Sequence, residues 1–194
     1  MGAYLVYCLV IKSEFHVIGV YMRYCPECGY KLIKLPLGGR ERLTCEDPKC
    51  GFVHWNNPVP VVAAIVEHDN EIALIQNVGW PSDWFGLVTG FLEAGEMPAE
   101  AVLREVEEEI GLPAKLQSYV GMYEFYRSNQ LIIAYHVTVN SHEVDLCPHE
   151  IAAQKWVAIE DIEPWSAGTG KALQDWLKTK GIHRELVDFS GANS

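Results

Sequence analysis

The chain has 194 residues, of which 15 are basic and 26 acidic, so that its formal net charge is −11. Hydrophobic residues make up 49% of it and charged residues 21%, a composition typical of a folded protein and not of a disordered one. A strongly acidic chain gains little from contacts with phosphate backbones, which argues against a general DNA-binding protein.

Residues 1–21 are expected to form an N-terminal extension to which we assign no function. Their apolar run, Tyr4 to Ile11, is too short to span a bilayer. It also lacks the basic start and the small-residue cleavage site of a signal peptide. We therefore expect no membrane association. Met22 follows directly, so translation from an upstream start codon is one explanation of this segment.

Residues 22–56 contain a cysteine cluster whose spacing is typical of metal binding. The cluster consists of two pairs separated by 16 residues: Cys25 and Cys28, then Cys45 and Cys50. Two pairs on two tight turns can present four thiolates to Zn²⁺, and such a closed site is structural because no coordination position stays open. The pattern predicts a small zinc ribbon in a reducing, cytoplasmic setting. His54 is the alternative fourth ligand if Cys45 or Cys50 is not one.

Residues 57–180 are predicted to form one domain of strands and helices, followed by a tail over residues 181–194. Apolar runs and turn residues predict strands at Val59–Val66, Glu71–Gln76, Trp84–Thr89, Leu116–Phe125, Leu131–Val139 and Lys155–Ile159. Apolar residues at helical spacing predict helices over Pro98–Ile110 and Gly170–Lys180. Asp69-Asn70 is expected to form a hairpin turn, and Gly111 is expected to end the first helix.

The first predicted helix carries an acidic face. At 100° per residue, Glu105, Glu108 and Glu109 lie on one side of the helix, beside an apolar stripe. Like charges at this spacing repel each other, and Mg²⁺ or Mn²⁺ would relieve the repulsion while also binding phosphate oxygens. From the charges alone, an ordinary solvated helix face is the alternative interpretation.

The surrounding spacing favours the metal-binding alternative, because the segment Gly90–Leu112 resembles the Nudix box. That motif is a glycine, five residues, Glu, seven residues, then Arg-Glu-apolar-any-Glu-Glu-any-Gly-apolar. The matching positions are Gly90, Glu96, Arg104, Glu105, Val106, Glu108, Glu109, Gly111 and Leu112. The chain is therefore identified as a member of the Nudix hydrolases.

The resemblance implies an α/β fold, namely an α/β/α sandwich around a mixed sheet, here preceded by the zinc ribbon. It implies that Glu105, Glu108 and Glu109 are ligands of catalytic Mg²⁺ or Mn²⁺ and that Arg104 orients them. It further implies that Glu96 supports the box or an outer metal ion. Gly90 would give the turn a backbone that can adopt a positive φ angle.

A closer resemblance is to the zinc-containing NADH pyrophosphatase branch, in the order of cysteine ribbon, Nudix box and the segment Asn129–His136. In that branch a further glutamate after the last sheet strands assists catalysis, and Glu150 matches it. Relatives in the branch also suggest a homodimer. The Ser-Gln-Pro-Trp-Pro-Phe-Pro array of NADH-preferring members is absent from Met122–Ser128, which leaves ADP-ribose, diadenosine polyphosphates, FAD and NAD-capped RNA as further candidate substrates.

The resulting hypothesis is a hydrolase that cleaves the diphosphate linkage of a nucleotide derivative, with Glu109 or Glu150 as general base. The competing hypothesis is a non-catalytic Nudix module that senses nucleotides or binds RNA ends. Two alternatives stay open for Tyr123, Phe125 and Tyr126: stacking on a base or nicotinamide ring, or packing in the core. His136 alternates with apolar residues and is expected to be structural.

Overall fold

The computed structural model describes residues 22–188, and the expectations for residues 1–21 and for the last six residues of the tail lie outside that range. Residues 22–188 contain two separate β-sheets and two α-helices. Neither helix is long and apolar enough to cross a membrane.

The first sheet has three antiparallel strands in the order β1-β2-β3. They are β1 (Leu32–Leu37), β2 (Arg40–Cys45) and β3 (Val53–His54). Gly38 and Gly39 join β1 to β2 with φ angles of 60° and 77°, a tight two-residue turn that glycine adopts without steric cost. The sheet lies within the segment in which the zinc ribbon was predicted.

The second sheet has six strands, with β7-β8-β4-β5-β9 along its main path and β6 paired to β4. The strands are β4 (Val59–His68), β5 (Glu71–Asn77), β6 (Val88–Phe91), β7 (Lys115–Phe125), β8 (Gln130–Thr138) and β9 (Ile151–Ala158). Strands β4 and β8 are parallel, whereas the other pairs are antiparallel. The sheet is therefore mixed, as predicted.

The two helices cover opposite faces of this sheet. They are α1 (Pro98–Ile110) and α2 (Gly170–Thr179). Alternate residues of β4 separate the two layers: Val62 and Ala64 pack in one core with residues of α1, whereas Ile65 packs in another with residues of α2. This alternation is the period of two that a strand buried on both faces requires. The α/β/α sandwich is confirmed.

Two strand boundaries differ from the prediction by four residues, and the others agree to within two. The strand predicted at Trp84–Thr89 begins only at Val88, because the preceding residues form a loop tied to the sheet by Gln76. The Gln76 side chain donates a 2.7 Å hydrogen bond to the carbonyl of Pro81. Strand β9 begins at Ile151, four residues earlier than the predicted Lys155, since its pairing with β5 continues as far as Asn77.

Candidate active site

Helix α1 is positioned by its apolar stripe and by its two ends. Pro98 occupies the first turn, where its missing N–H costs nothing, and Gly111 ends the helix in the left-handed conformation with φ 71°. The apolar side chains that face the sheet are buried, namely Ala101, Val102, Val106 and Ile110. Both predicted helix ends are confirmed. Burying this stripe places Glu105 of the adjacent acidic face against Gly90 of β6.

The three glutamates of this face differ in exposure. Glu105 and Glu109 are buried, with 9% and 4% of their surface exposed, whereas the side chain of Glu108 is 59% exposed. Within residues 22–188, the Oε2 atom of Glu109 is buried and has no hydrogen-bond partner. A buried carboxylate oxygen without a partner costs free energy, and a bound cation would remove that cost.

The Arg104 guanidinium links three of the carboxylates. Its Nε and Nη2 donate to the two oxygens of Glu96 at 2.8 and 3.0 Å, the paired geometry that makes Arg–carboxylate contacts strong. Its Nη1 donates to Glu105 at 2.8 Å and to Glu108 at 2.9 Å. Arg104 is thus placed to hold the carboxylates of neighbouring turns in fixed orientations.

Two backbone groups complete this network, and sequence patterns do not single them out. The carbonyl of Phe91 accepts a 3.2 Å hydrogen bond from Arg104, and the N–H of Glu93 donates to Glu96 at 3.2 Å. The hydrogen bonds from Arg104 lower the pKa of Glu96, so this carboxylate stays ionised. Backbone donors and acceptors exist at every residue, and therefore only the fold can reveal which ones take part.

Burial and mutual repulsion act on the two inner glutamates. Burial raises the pKa of Glu105, and the nearby Arg104 partly opposes that rise. The pKa of Glu109 is raised well above its ordinary value, first by burial and then by the negative charges of Glu105 and Glu150. A hydrogen bond from the backbone N–H of Thr89 acts in the opposite direction. The site therefore concentrates negative charge that one arginine does not neutralise.

Gly90 serves this site differently from the expectation. It lies within β6 opposite Val62, and its φ is not positive; the positive φ of this segment, 85°, belongs to Gly95 in the turn before α1. A Cβ atom at position 90 would lie 1.8 Å from the carboxyl carbon of Glu105. The physical reason for glycine is space for the Glu105 carboxylate, and the predicted role in a positive-φ turn is wrong.

Glu150 directly precedes β9, whereas the expected glutamate follows the last strands. Two hydrogen bonds hold its backbone. Its N–H donates to the backbone carbonyl of Cys147, and its own carbonyl accepts a 2.7 Å hydrogen bond from the N–H of Val78. Its charge contributes to the raised pKa of both Glu105 and Glu109. The fold therefore places Glu150 near enough for its charge to act on Glu105 and Glu109, and its position relative to the strands is corrected. Within residues 22–188, these carboxylates do not form a group with mutual donor distances within 4.8 Å, as the four cysteines do.

The three aromatic candidates lie in different environments. Tyr123 is buried in the core beside Ala172 of α2, and its hydroxyl donates a 3.1 Å hydrogen bond to Asp175. Phe125 packs against the same core. The packing of these two residues supports the core alternative, and stacking of either ring on a ligand stays an untested prediction. Tyr126 is 85% exposed and remains a candidate for contact with a ligand.

His136 forms part of a partly buried polar cluster between the sheet and the end of α2. Its Nε2 lies 2.7 Å from a Glu67 oxygen, and the ammonium of Lys180 lies 3.0 Å from both oxygens of Glu67. Burial lowers the pKa of His136, which favours its neutral form. These contacts agree with the expected structural role.

The four predicted zinc ligands converge in the first sheet. The sulfur atoms of Cys25, Cys28, Cys45 and Cys50 all lie within 4.8 Å of one another. Two of the sulfur pairs lie 3.4 and 3.6 Å apart, close to the spacing of about 3.8 Å that tetrahedral Zn–S bonds of about 2.3 Å produce. Gly29 and Gly51 follow two of the cysteines with φ angles of 76° and 72°. This cluster could hold zinc without His54 as a substitute ligand.

Curated relatives resemble the chain over much of its length. It is 25% identical over 143 residues to the "NAD-capped RNA hydrolase NudC" of Vibrio parahaemolyticus. That alignment covers 74% of this chain and 54% of the relative. It is 24% identical over 177 residues to the protein of the same name from Pseudomonas aeruginosa, which covers 91% of this chain and 58% of the relative. The chain thus spans little more than half the length of these relatives.

Solved structures share the fold. A NUDIX hydrolase from Nitrosomonas europaea superposes with a TM-score of 0.69 at 20% identity, covering 86% of this chain and 97% of the other. An ADP-ribose pyrophosphatase from Streptococcus suis gives a TM-score of 0.53 at 19% identity, and the superposition covers 68% of this chain and 99% of that structure. At these identities the likeness concerns the fold.

The NUDIX domain model matches residues 57–176, which contain the whole second sheet, all of α1 and the first seven residues of α2. The cysteine cluster in front of this domain is consistent with the zinc-containing branch that the sequence resembles. Because the match covers well over half of the 194 residues, the chain belongs to the Nudix family.

Proposed function

We propose that the protein is a divalent-metal-dependent hydrolase that cleaves the diphosphate linkage of a nucleotide derivative into two monophosphates. The observation that carries this proposal is the buried, unpartnered Oε2 of Glu109 beside the charges of Glu105 and Glu150. Such a group of hard oxygen donors fits Mg²⁺ or Mn²⁺. A purely solvated acidic helix face would not bury two of its glutamates.

Glu105, Glu108 and Glu109 would hold the metal ions, which when bound offset the charge of a diphosphate and acidify a water molecule. Arg104 keeps Glu105 and Glu108 oriented before any ligand arrives, so that little reorganisation is needed on binding. Glu109 is the first candidate for the general base, because its carboxylate is buried and its Oε2 has no hydrogen-bond partner within the described residues. Glu150 is the second candidate for this role.

In the proposed reaction, the oxygen of a water molecule forms a bond to one phosphorus. The bond between that phosphorus and the bridging oxygen breaks, and the bridging oxygen leaves with the other phosphate. The proton of the attacking water goes to the carboxylate of Glu109 or Glu150. The products are two monophosphates, which satisfies the atom balance of a hydrolysis.

For the substrate we propose a dinucleotide of the NAD type or the NAD-capped 5′ end of an RNA. The names of the relatives from Vibrio and Pseudomonas support this class. The first sheet and its turns add a second argument, because residues 22–56 carry six basic and four acidic side chains in an otherwise acidic chain. With Zn²⁺ bound by four thiolates, a unit of charge −2, this segment is about neutral, so it would repel an RNA end less than the rest of the acidic chain does.

The test is a panel of NAD, NADH, ADP-ribose, FAD, diadenosine polyphosphates and NAD-capped RNA, incubated with Mg²⁺ or Mn²⁺. Products are resolved by chromatography for the wild type and for Glu109→Gln. We expect monophosphate release by the wild type and a loss of at least about a hundredfold in the variant. If the wild type binds nucleotides but cleaves none of them, the protein is a sensor and the proposal fails.

A stability measurement separates this functional role of Glu109 from a structural one. The folded-state pKa of Glu109 lies above its unfolded value near 4.5, so its contribution to stability is present below that value and is lost as pH rises through the folded-state pKa. At neutral pH without divalent ions, Glu109→Gln should therefore melt at a higher temperature than the wild type. A variant that is inactive and also less stable would indicate a structural role.

We further propose that Cys25, Cys28, Cys45 and Cys50 hold one structural Zn²⁺. The convergence of four thiols around a common centre supports this site. Beyond the cysteines, few apolar side chains in this small sheet are buried, so the hydrophobic effect contributes little to its stability. Four thiolate bonds to zinc would supply the missing stabilisation.

A further inference from the structure

A second group of metal-binding side chains lies at the β4–β5 hairpin, outside the catalytic and cysteine clusters. His68 ends β4, Asp69 lies in the turn, and His142 comes from the loop after β8. One donor atom from each of the three lies within 4.8 Å of the other two. Along β4, His68 is six residues from Val62, the partner of Gly90, or roughly 20 Å at about 3.3 Å per residue.

The hydrogen bonds of His68 leave one of its nitrogen atoms free to bind a metal ion. Its Nδ1 lies 2.9 Å from the backbone carbonyl of Val139. A carbonyl oxygen only accepts hydrogen bonds, so Nδ1 carries the proton and the lone pair of the neutral ring lies on Nε2. That Nε2 faces the Asp69 carboxylate at 3.6 Å. A ligand nitrogen on one side and a carbonyl on the other is the usual arrangement of metal-binding histidines.

His142 is held in the same manner. Its Nε2 lies 2.8 Å from a carboxylate oxygen of Glu71, so the neutral ring donates from Nε2 and keeps its lone pair on Nδ1. The ring packs at 87° on Trp156 with centroids 4.7 Å apart, and the Trp156 indole donates to the His142 carbonyl at 3.3 Å. The imidazole is therefore oriented before any ion binds.

The hairpin turn fixes the third donor. Asp69 and Asn70 have φ angles of 45° and 66°, the left-handed pair of a two-residue turn that Asp and Asn tolerate. Asp69 directly follows His68 in the chain, and the turn fixes the backbone that carries the Asp69 carboxylate. The Asp69 side chain is 76% exposed, so an ion can reach the group from solvent.

We propose that His68, Asp69 and His142 form a binding site for a transition-metal dication such as Zn²⁺ or Ni²⁺, with Glu71 supporting His142. Two imidazoles and a carboxylate suit these ions, whereas Mg²⁺ prefers an all-oxygen site. The site is independent of the catalytic carboxylates, and its chemistry selects different ions. It would tie the β4–β5 hairpin to the loop that leads to Glu150.

The test is calorimetric titration of the zinc-loaded full chain with Ni²⁺ under saturating Mg²⁺, which keeps the catalytic carboxylates occupied. We expect one Ni²⁺ per chain in the wild type and at least about a tenfold weaker affinity in His68→Ala and in His142→Asn. Removing a residue that only hydrogen-bonds to a metal ligand already weakens metal affinity by about tenfold or more, so removing a ligand should do at least as much. Zinc and nickel contents are counted separately by metal analysis, so that displacement of zinc from the cysteines would be recognised.

His183→Ala is the matched control, because it removes one exposed imidazole from outside the group. It should bind Ni²⁺ like the wild type. His142 is itself exposed, so its substitution leaves the core intact even if His68→Ala folds poorly. The proposal is overturned if the wild type takes up no Ni²⁺ under these conditions, or if both histidine variants bind it with unchanged affinity.

A local spectroscopic signal provides a second readout. Cu²⁺ quenches the fluorescence of nearby tryptophans, and the Trp156 ring lies 4.7 Å from that of His142. Cu²⁺ should quench part of the wild-type emission, and both Trp156→Phe and His142→Asn should remove that part. Quenching that is the same in all three proteins would contradict a metal ion at the hairpin.

Discussion

The carboxylate of Glu105 occupies the space that a Cβ atom at position 90 would need. Gly90 therefore determines how closely α1 can approach β6, and with it the position of the first inner glutamate. Arg104 then fixes the same carboxylate from the other side through a 2.8 Å hydrogen bond. At the scale of single residues, the site depends on the absence of a side chain at Gly90 and on the guanidinium of Arg104.

Gly90→Ala should reduce kcat/KM by roughly a hundredfold, because displacing a reacting group by about 1 Å costs about that much. Gly86→Ala is the control, since its Cβ would meet only the Trp80 ring, at 3.3 Å. Both variants are assayed on the best substrate of the panel, with circular dichroism to check the fold. A Gly90→Ala enzyme with near-normal activity would show that Glu105 need not lie where the structure places it.

The elements differ in how their ends are determined. Helix α1 stops at Gly111, whose φ of 71° excludes most side chains, and a Cβ there would lie 2.7 Å from the Cβ of Asp145. The loop carrying Asp145 is thereby held against the end of the helix, and the N–H of Asp145 donates to the Ile110 carbonyl at 3.0 Å. This loop continues to Glu150, so the end of the helix also helps to position the Glu150 carboxylate.

Gly111→Ala should destabilise the fold more than Gly181→Ala, which lies just beyond α2 with φ 77° and open space around it. Gly181→Ala should cost about 1–2 kcal/mol through the left-handed backbone alone. Gly111→Ala should add about 1–3 kcal/mol from the collision with Asp145. Urea unfolding at equilibrium measures both. If both variants lost the same free energy of unfolding, the loop that carries Asp145 would move aside without destabilising the fold.

At the scale of the whole molecule, the two sheets are stabilised by different interactions, namely a hydrophobic core in one and a cysteine cluster in the other. The six-stranded sheet buries apolar side chains on both faces under α1 and α2. In the three-stranded sheet the four thiols occupy the place of a hydrophobic core. The two units should therefore respond differently when metal ions are removed.

A chelator strong enough to extract zinc should release about one Zn²⁺ per chain and expose four reactive thiols. Backbone amides of β1–β3 should then lose protection from hydrogen exchange, whereas those of β4, β5 and β8 should keep it. Cys147→Ala, which lies outside the cluster, should retain its zinc, and Cys28→Ala should not. Protein purified without zinc that still protects β1–β3 would contradict this prediction.

The sequence by itself determined the elements whose signals are local. The apolar spacing and Gly111 define α1, the Asp69-Asn70 pair defines its hairpin, and the cysteine spacing defines the convergence of four thiols. The helix and the hairpin turn depend on residues close together along the chain, where backbone geometry dictates which side chains meet. The two cysteine pairs lie further apart, and the antiparallel pairing of β1 with β2 brings them together.

Only the tertiary structure decided the contacts between distant segments. The reason for glycine at position 90, the core location of Tyr123, the approach of Glu150 and the meeting of His68 with His142 all depend on how strands pair and layers pack. Burial and distance across a sheet also set the pKa of Glu109. A spacing pattern carries no information about such packing, since it describes neighbours along the chain and not neighbours in space.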